Sequence, residues 1–547
     1  MKIRIFSITI IFAGCIYLSG CNDFLDTTPT DRISDKLVWE SEELVQLYIN
    51  TFHAYIDRYG VFGNPSQFNG NLTEGLTETL KYGASVPGRI AGDANMYVFT
   101  PEAISPATNL LSVWTHAYER IRRVNEFLDG LVKYSKFSAE KNLEFESQAR
   151  FFRAFLYFQL AKRHDGVILY ENMDLRMNIN RSTAEETWNL IERDLDFAAL
   201  HLPDPGAVPH GRLTKGAAFA FKSRAMLYAE RWQAAKEAAD AVFAFNRYAL
   251  TSRYVDAYRG SNSESILQYS YLRTGPNHSF DRDYSTFGEI TAQGGNGVPT
   301  QEMVESYERI DGTRVNWSPW HVAGGTNTAP PYISLEPRFH ATVIYPGSVW
   351  QGKTMENSVG GFNGRYMAYR EEVYPQGRTV TGYYLKKFRD ESNTDLGTWA
   401  STHTWVEIRL AEVYLNRAEA NFRLGNVEAA HNDLNAVRKR TEVNLPEKSG
   451  LNVNDLFNAI RQERKIELAY EGHLYWDMRR WRLAHTEYNN YRVHGMRVTP
   501  QTGGRWLYER VDSDLQDRKF LEKTYVLPIP HDELANNSAI EQYEQWR

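Results

Sequence analysis

The segment IRLAEVYLNRAEANFRLG, residues 408–425, restricts the possible fold more than any other stretch of the chain. Its apolar residues recur at spacings of three and four, the repeat of an amphipathic helix. They are Ile408, Ala411, Leu415, Ala418 and Phe422, and an adjacent polar stripe holds Arg409, Glu412, Asn416, Glu419 and Arg423. Leu424-Gly425-Asn426 should end this helix, because glycine readily adopts the left-handed backbone of a helix C-terminus. The next segment, VEAAHNDLNAVRKR, repeats the apolar spacing, so the two together predict a helical hairpin.

A second hairpin is predicted from AAFAFKSRAMLYAERWQAAKEAADAVF, residues 217–243, and a further helix from ESQARFFRAFLYFQLAKR, residues 146–163. Ser182 and Glu185 have the spacing of a capping box for the helix that follows. The length of the hairpins and the small residues at their close-packing points resemble tetratricopeptide repeats, whose unit is about 34 residues. The sequence therefore predicts a mostly α fold of tetratricopeptide-like hairpins. Trp114, Trp232, Trp405 and Trp476 fall within blocks predicted to be helical and are predicted to be core residues.

The middle of the chain has a different character, because residues 250–400 hold 17 of the 37 glycines. Long regular helices are improbable in such a segment. We expect a single domain, residues 21–547, with a helical frame at about 35–250 and 400–547. Residues 250–400 would form a loop-rich insert with short strands, and loops on a rigid frame are where binding residues concentrate.

The N-terminus, MKIRIFSITIIFAGCIYLSGC, reads as a secretion signal over residues 1–20. Lys2 and Arg4 form a positive start, and the apolar run Phe6–Leu18 is too short to span a bilayer comfortably. LSGC resembles the lipobox of bacterial lipoproteins, which predicts cleavage before Cys21 and acylation of Cys21. The other cysteine, Cys15, lies in the signal, so the mature chain would contain no disulfide.

Charge and motifs exclude several classes of function. Without Lys2 and Arg4 the mature chain has 60 basic and 68 acidic residues, a net charge of about −8, which disfavours nucleic acid and anionic lipid surfaces. GSVWQGKT, residues 347–354, matches the phosphate-loop pattern, but the glycine-rich MENSVGGFNGR that follows is a poor start for a phosphate-binding helix. No histidine spacing typical of a metal site occurs, and we expect no metal, nucleotide or other cofactor.

Several blocks, in order along the whole chain, resemble the SusD/RagB family of outer-membrane lipoproteins. They are CNDFLDTTPTD, RFFRAFLYFQLAKR, GRLTKGAAFAFKSRAMLY, PTQEMVESYERIDG, TGYYLKKF, IRLAEVYLNRAEA, IRQERKIELAYEGHLYWDMRRW and PIPHDEL. The resemblance implies a lipid-anchored protein on the cell exterior that caps a SusC-like TonB-dependent transporter. It also implies non-catalytic binding of glycan, or in some branches of peptide, and delivery to that transporter.

Sugar rings combine polar edges with C–H faces, so a glycan site is expected to combine aromatic side chains with hydrogen-bonding groups. The predicted ligand-binding residues are Tyr82, Arg89, Asp93, Asn95, Tyr97, Tyr284, Trp317 and Trp320, with Trp350 as a weaker candidate. The starch-binding branch of the family has paired tryptophans where this chain has TLKYGASVPGRIAGDANMYVFTP, which contains none. The ligand is therefore not restricted to starch.

The sequence is compatible with two alternative functions. The first is a peptide-binding lid of a peptide transporter, since aromatic loops suit either ligand. The second is a secreted helical-barrel glycoside hydrolase, which needs two carboxylates across a cleft; Asp93 with Asp281 or Asp283 are the candidates. Glu463 and Glu467 also lie one turn apart, but neighbouring arginines indicate a structural ion-pair network instead. Those arginines are Arg461, Arg464, Arg479 and Arg480.

Overall fold

The computed structural model describes nine segments, and the predicted signal and Cys21 lie outside them. The segments are residues 38–62, 72–83, 104–109, 111–173, 177–290, 294–368, 377–398, 401–514 and 517–547. Among these residues, no helix has both the length and the apolar composition needed to cross a membrane.

In the N-terminal part of the frame, the residues that the structure describes form six helices. They are α1 (Glu42–Tyr59), α2 (Trp114–Tyr134), α3 (Ala139–His164), α4 (Ala184–His201), α5 (Lys215–Tyr228) and α6 (Trp232–Ala244). From α2 to α6 each helix packs against the next one along the chain, which is the arrangement of stacked helical hairpins. The capping box of α4 uses Thr183 and Glu186, one residue later than predicted, because Thr183 Oγ1 accepts the Glu186 N–H.

The described part of the insert contains short elements, none of its helices longer than six residues. The helices are α7 (Tyr254–Ala257), α8 (Phe280–Asp283), α9 (Gln301–Ser306) and α10 (Pro337–Thr342). The strands up to this point are β1 (Leu80–Tyr82), β2 (Ser265–Tyr269), β3 (Gly297–Pro299), β4 (Val343–Ile344), β5 (Val349–Trp350), β6 (Lys353–Thr354), β7 (Ser358–Val359), β8 (Arg365–Tyr366) and β9 (Tyr384–Leu385). They form two-stranded pairs; β1 pairs antiparallel with β3, β4 with β9 and β5 with β6, and β7 pairs parallel with β8.

The C-terminal part returns to long helices. It contains β10 (Trp405–Arg409), α11 (Leu410–Arg423), α12 (Val427–Arg438), α13 (Val453–Glu467), α14 (Leu474–Arg480), α15 (Ala484–Glu487), β11 (His494–Gln501), β12 (Arg505–Asp512) and α16 (His531–Asn536). Single turns of 3-10 helix occur at Thr73–Leu76, Ser318–Trp320, Tyr332–Ser334, Leu396–Thr398, Glu522–Tyr525 and Glu544–Trp546. Strand β10 pairs with β2, β11 pairs with β12, and α11 packs against α6, so the C-terminal helices continue the N-terminal stack. Both predicted hairpins, α5–α6 and α11–α12, are confirmed.

The turn between α11 and α12 is closed by Gly425, as the sequence predicts. Its φ is +80°, its N–H donates to Phe422 O at 3.1 Å, and the Asn426 N–H donates to Asn421 O at 2.8 Å. This is the Schellman arrangement, which satisfies carbonyls that the helix end would otherwise leave unpaired.

We expect Gly425→Ala to lower the free energy of unfolding by about 1 kcal/mol, because a side chain is strained at positive φ. A Cβ at this position meets open space, so steric overlap does not contribute. Gly397→Ala is the matched control, since its Cβ also meets open space and its φ is not positive. Equal denaturant midpoints for the two variants would contradict the prediction.

The predicted polar stripe of α11 is buried at four of its five positions, which the sequence did not indicate, and Arg423 at the helix end is exposed. Its members Arg409, Glu412, Asn416 and Glu419 are at most 1% exposed. Arg224 of α5 donates to both carboxylate oxygens of Glu412 at 2.7 Å, so this stripe joins α11 to another helix of the stack. Burial of such groups requires partners, and each of these residues has one.

A buried ion network surrounds Glu467, at the end of α13. Its carboxylate accepts from Arg409 and Arg440 at 2.7 Å and from Arg338 at 3.0 Å, and Glu463 pairs with Arg338 and Arg438. The predicted network is therefore present, but its arginines come from β10, α10 and the end of α12. The arginines nearer in sequence pair elsewhere: Arg461 with Glu487, Arg464 with Asp477 and Arg480 with Glu419, while Arg479 donates to Tyr525 O.

The segment GSVWQGKT forms a tight β-hairpin and not a phosphate loop. Val349 and Trp350 of β5 pair with Thr354 and Lys353 of β6, and Gln351 and Gly352 form the turn with φ values of +49° and +72°. Two residues at positive φ are typical of a type I′ turn. In the described chain no helix follows this turn directly, so no helix N-terminus meets the place where a phosphate would lie.

Candidate functional site

The described aromatic candidates for ligand binding are buried. Tyr82 is 4% exposed, and its hydroxyl donates to Leu72 O at 2.9 Å. Its ring lies so close to Gly75 that a Cβ there would be 2.1 Å from it. Tyr284 is 2% exposed and stacks on Phe280 with ring centroids 4.3 Å apart.

The two tryptophans of the insert pack against each other. Trp317 and Trp320 are 6% and 8% exposed, with ring centroids 5.5 Å apart in an edge-to-face arrangement. Trp320 Nε1 donates to Thr328 O at 2.9 Å. Trp350 is also buried, and its Nε1 donates to Glu289 at 3.0 Å. In this arrangement none of these rings presents a face to solvent.

The remaining predicted contacts, Arg89, Asp93, Asn95 and Tyr97, lie outside the described residues. The prediction assumed that glycine-rich loops hold rings at the surface. The described loops instead fold into short strand pairs with a core of their own. That core contains Val298, Ile344, Trp350, Met355, Met367, Val380 and Tyr384. The ligand-binding role of the residues predicted from the sequence stays a prediction.

Accessible polar side chains of the insert converge on a cleft of about 500 Å³. It lies between the segments 271–273 and 390–395, with Thr402 at one side, and we call it the loop cleft. Among the described residues, a cleft of about 470 Å³ lies along helices and turns of the frame, and one of about 450 Å³ lies between the frame and residues 261–266 of the insert. Ligand pockets typically measure about 300–1,000 Å³, so size alone does not distinguish the three.

The first wall of the loop cleft continues from β2. Tyr271 is buried, and its hydroxyl donates to Asp57 of α1, which fixes the wall to the frame. The Leu272 N–H donates to Pro276 O at 2.7 Å and closes a tight turn. This turn leaves Leu272 63% exposed, an apolar surface beside the exposed guanidinium of Arg273.

The second wall is a turn organised by a buried carboxylate. Asp281 is 1% exposed and accepts the Asp390 N–H and Asn393 Nδ2, both at 2.9 Å. Asp390 Oδ1 accepts the N–H and hydroxyl of Ser392, and Asn393 Oδ1 accepts the Asp395 N–H at 3.2 Å. The polar side chains of this wall are thus held in position before any ligand arrives.

The two walls approach each other through opposite charges. Arg273 Nη2 lies 3.7 Å from Asp395 Oδ2, and both side chains are more than half exposed. Two histidines near the cleft are neutral at ordinary pH, since burial lowers the pKa of His278 to about 3 and that of His403 to about 4. Among the described residues no cluster of histidine, cysteine, aspartate or glutamate is suited to hold a metal ion. The loop cleft therefore offers hydrogen-bond donors and acceptors, together with the guanidinium of Arg273 and the carboxylates of Asp390 and Asp395.

Both described aspartates of the hydrolase alternative have structural partners. Asp281 is the buried acceptor that holds the 390–393 turn. Asp283 accepts the Ser279 hydroxyl at 2.6 Å, and Asp93 lies outside the described residues. The described residues thus do not place two of these carboxylates across a cleft.

Comparison with known proteins gives a consistent result over nearly the whole chain. The model of the SusD family matches residues 263–546, and the model described as "Starch-binding associating with outer membrane" matches residues 23–227. The SusD-like protein P25 of Formosa agariphila is 22% identical over 84% of this chain and 87% of its own.

Solved structures share the fold. A SusD-like protein from Bacteroides fragilis is 26% identical, with a TM-score of 0.78 over 94% of this chain and 98% of its own. A SusD-like carbohydrate-binding protein from the same species has 24% identity and a TM-score of 0.75, over 92% and 99% of the two chains. A laminarin-binding SusD-like protein has 21% identity and a TM-score of 0.63, also over 92% and 99%. The predicted mostly helical fold is confirmed, and the chain belongs to the SusD family.

Proposed function

We propose that this protein binds glycan in the loop cleft at the cell surface and delivers it, without catalysis, to a SusC-like TonB-dependent transporter. The observation that carries the proposal is the pair of cleft walls, which present fixed polar groups beside exposed Leu272. A polyhydroxylated ring needs both, since its hydroxyls require donors and acceptors and its C–H face requires apolar contact.

The relatives support the class of ligand. One structural neighbour is described as a carbohydrate-binding protein and another as laminarin-binding, and both share the fold over more than nine-tenths of this chain. Arg89, Asp93, Asn95 and Tyr97 remain proposed contributors from the sequence.

The proposed location at the outer membrane, beside a transporter, is supported by the N-terminal sequence and by the family description. The family description associates its members with the outer membrane. The segment LSGC would supply the acylated Cys21, and acyl chains hold a protein at a membrane by burying methylene groups. A tether beside a transporter raises the local ligand concentration, so a weak site is sufficient for uptake.

The test uses the soluble chain from Asp23 onward in native affinity gels that contain plant, fungal, bacterial or host glycans. One glycan class should retard the protein. Arg273→Ala should then raise the dissociation constant for that glycan about 10- to 100-fold, the usual effect of losing a hydrogen bond from a charged group. Calorimetry with an oligosaccharide of the retarding class measures the change.

Arg505→Ala is the matched control, because this arginine is exposed on β12 and does not line the loop cleft. It should bind as tightly as the unmodified chain. Retardation that Arg273→Ala does not weaken would place the glycan site elsewhere. No retardation by any glycan, together with binding of a peptide mixture, would replace glycan by peptide as the ligand.

A further inference from the structure

The cleft of about 470 Å³ lies on the helical frame and shares no lining residue with the loop cleft. The ends of α3 and α14, the start of α4 and the turn between α5 and α6 surround it, and we call it the frame cleft. Its aromatic lining residues are Trp188, Tyr228, Trp476 and Tyr525. Trp188 and Tyr228 are half-buried, so part of each side chain is accessible.

Cations that line the frame cleft differ in whether they have a counter-charge. Arg231 pairs with Glu192, and Arg480 pairs with Glu419 at 2.6 Å. Among the described residues, by contrast, Lys162 and Arg479 form no ion pair, and Arg482 is influenced by the charge of Asp165 only beyond ion-pair distance. The acidic lining residues Asp165, Glu185 and Glu230 are all exposed.

Three cations surround the buried indole of Trp476. Lys162 Nζ lies 4.9 Å from a ring centroid of this indole, Arg163 Cζ 4.5 Å and Arg479 Cζ 5.3 Å. Cation–π contact stabilises such a cluster but does not neutralise its charge. Burial, together with repulsion from Arg163, lowers the pKa of Lys162 well below its ordinary value, and a bound anion would favour the charged amine again.

Arg479 has unused hydrogen-bonding capacity in the same place. It is 4% exposed; its Nη2 donates to the backbone O of Tyr525 at 2.7 Å, and its Nη1 donates to the hydroxyl oxygen of Tyr475 at 3.3 Å. Its Nε has no partner among the described residues. A buried donor without an acceptor costs free energy, and an anion in the cleft would supply both the acceptor and the missing charge.

We propose that the frame cleft is a second ligand site, which binds the carboxylate of an acidic sugar such as a hexuronic acid unit. Lys162 and Arg479 would hold the carboxylate, and Trp188 and Tyr228 would contact the C–H face of the sugar ring. The choice of a sugar as the class of anion rests on the proposed glycan binding. The requirement for an anion rests on the charges of the frame cleft itself.

The experiment compares trigalacturonate with its fully methyl-esterified form, which lacks the negative charges and carries three ester methyl groups, by titration calorimetry with the soluble chain from Asp23. The acid should bind at least tenfold more tightly than the ester, and added salt should weaken only the acid. Lys162→Gln should weaken the acid at least tenfold and leave the ester unchanged. Lys162→Arg, which keeps the charge, should stay within about threefold of the unmodified chain.

Controls separate this site from the loop cleft and from unfolding. Lys133→Gln changes an exposed lysine of α2, 57% exposed, and should have no effect. Arg273→Ala should leave acid binding unchanged, so failure of the loop cleft and failure of the frame cleft are distinguishable. Lys162→Gln should lower the melting temperature only slightly, since this amine loses cation–π contacts with Trp476 and Phe158 but no carboxylate partner.

Three outcomes would overturn the proposal. One is equal binding of acid and ester, and another is acid binding that Lys162→Gln does not change. The third is no binding of either trimer; binding of a triglutamate peptide in its place would then assign the frame cleft to an acidic segment of a partner protein.

Discussion

Glu467→Gln is expected to lower the free energy of unfolding by about 3–5 kcal/mol, the usual cost of removing one partner from a buried ion pair. The carboxylate is fully buried and accepts from Arg338, Arg409 and Arg440. Burial alone would raise its pKa, but these arginines, Arg440 foremost, hold it far below the ordinary value. Glutamine keeps the size of the side chain and removes the charge, so three buried guanidinium groups lose a shared counter-ion.

The measurement is denaturant unfolding of the soluble chain from Asp23, with Glu541→Gln as the matched control. Glu541 pairs with Arg547 at the surface, and its side chain is 70% exposed. Exposed pairs contribute little, so the control should unfold with the unmodified chain. Similar losses in the two variants would show that the buried network does not stabilise the fold as we infer.

Acid is expected to destabilise the protein through Glu419, by about 3 kcal/mol at full protonation. Burial would raise the pKa of Glu419, but Arg480 and the Trp481 N–H lower it from 4.5 to about 2. Because the folded pKa lies below the unfolded value, the unfolded chain takes up the proton first as the pH falls. The stabilisation is therefore complete above about pH 4.5 and is lost progressively down to about pH 2.

Unfolding free energies between about pH 7 and pH 3 test this for the unmodified chain and for Glu419→Gln. The variant should be less stable at neutral pH, and the difference between the two chains should shrink as the pH falls. The pKa values of Glu467 and Glu471 are also lowered in the folded protein, so both chains lose further stability in acid. Only the difference between the two chains reports on Glu419. A difference that stays constant with pH would mean that Glu419 has an ordinary pKa in the folded protein.

The sequence predicted largely correctly which tryptophans of the helical blocks are buried. It did not predict which aromatic residues of the loops are exposed. Trp114, Trp405 and Trp476 are each 3% exposed, as expected, and Trp232 is half-buried. The rings of Tyr284, Trp317 and Trp320 were expected at the surface and are buried. Exposure of a loop residue depends on which other loops cover it, and the spacing of residues in one segment carries no information about that.

The sequence by itself determined the hairpins α5–α6 and α11–α12, because apolar periodicity and a positive-φ glycine act within a few residues. It also indicated that Glu463 and Glu467 belong to an ion network. The tertiary structure alone decided which arginines complete that network and which polar side chains line the two clefts. Arg338 is 125 residues from Glu463, and Asp281 is 112 residues from Asn393, in sequence. Such partners are selected by packing of distant segments, where each buried charge needs whichever opposite charge the fold brings within reach.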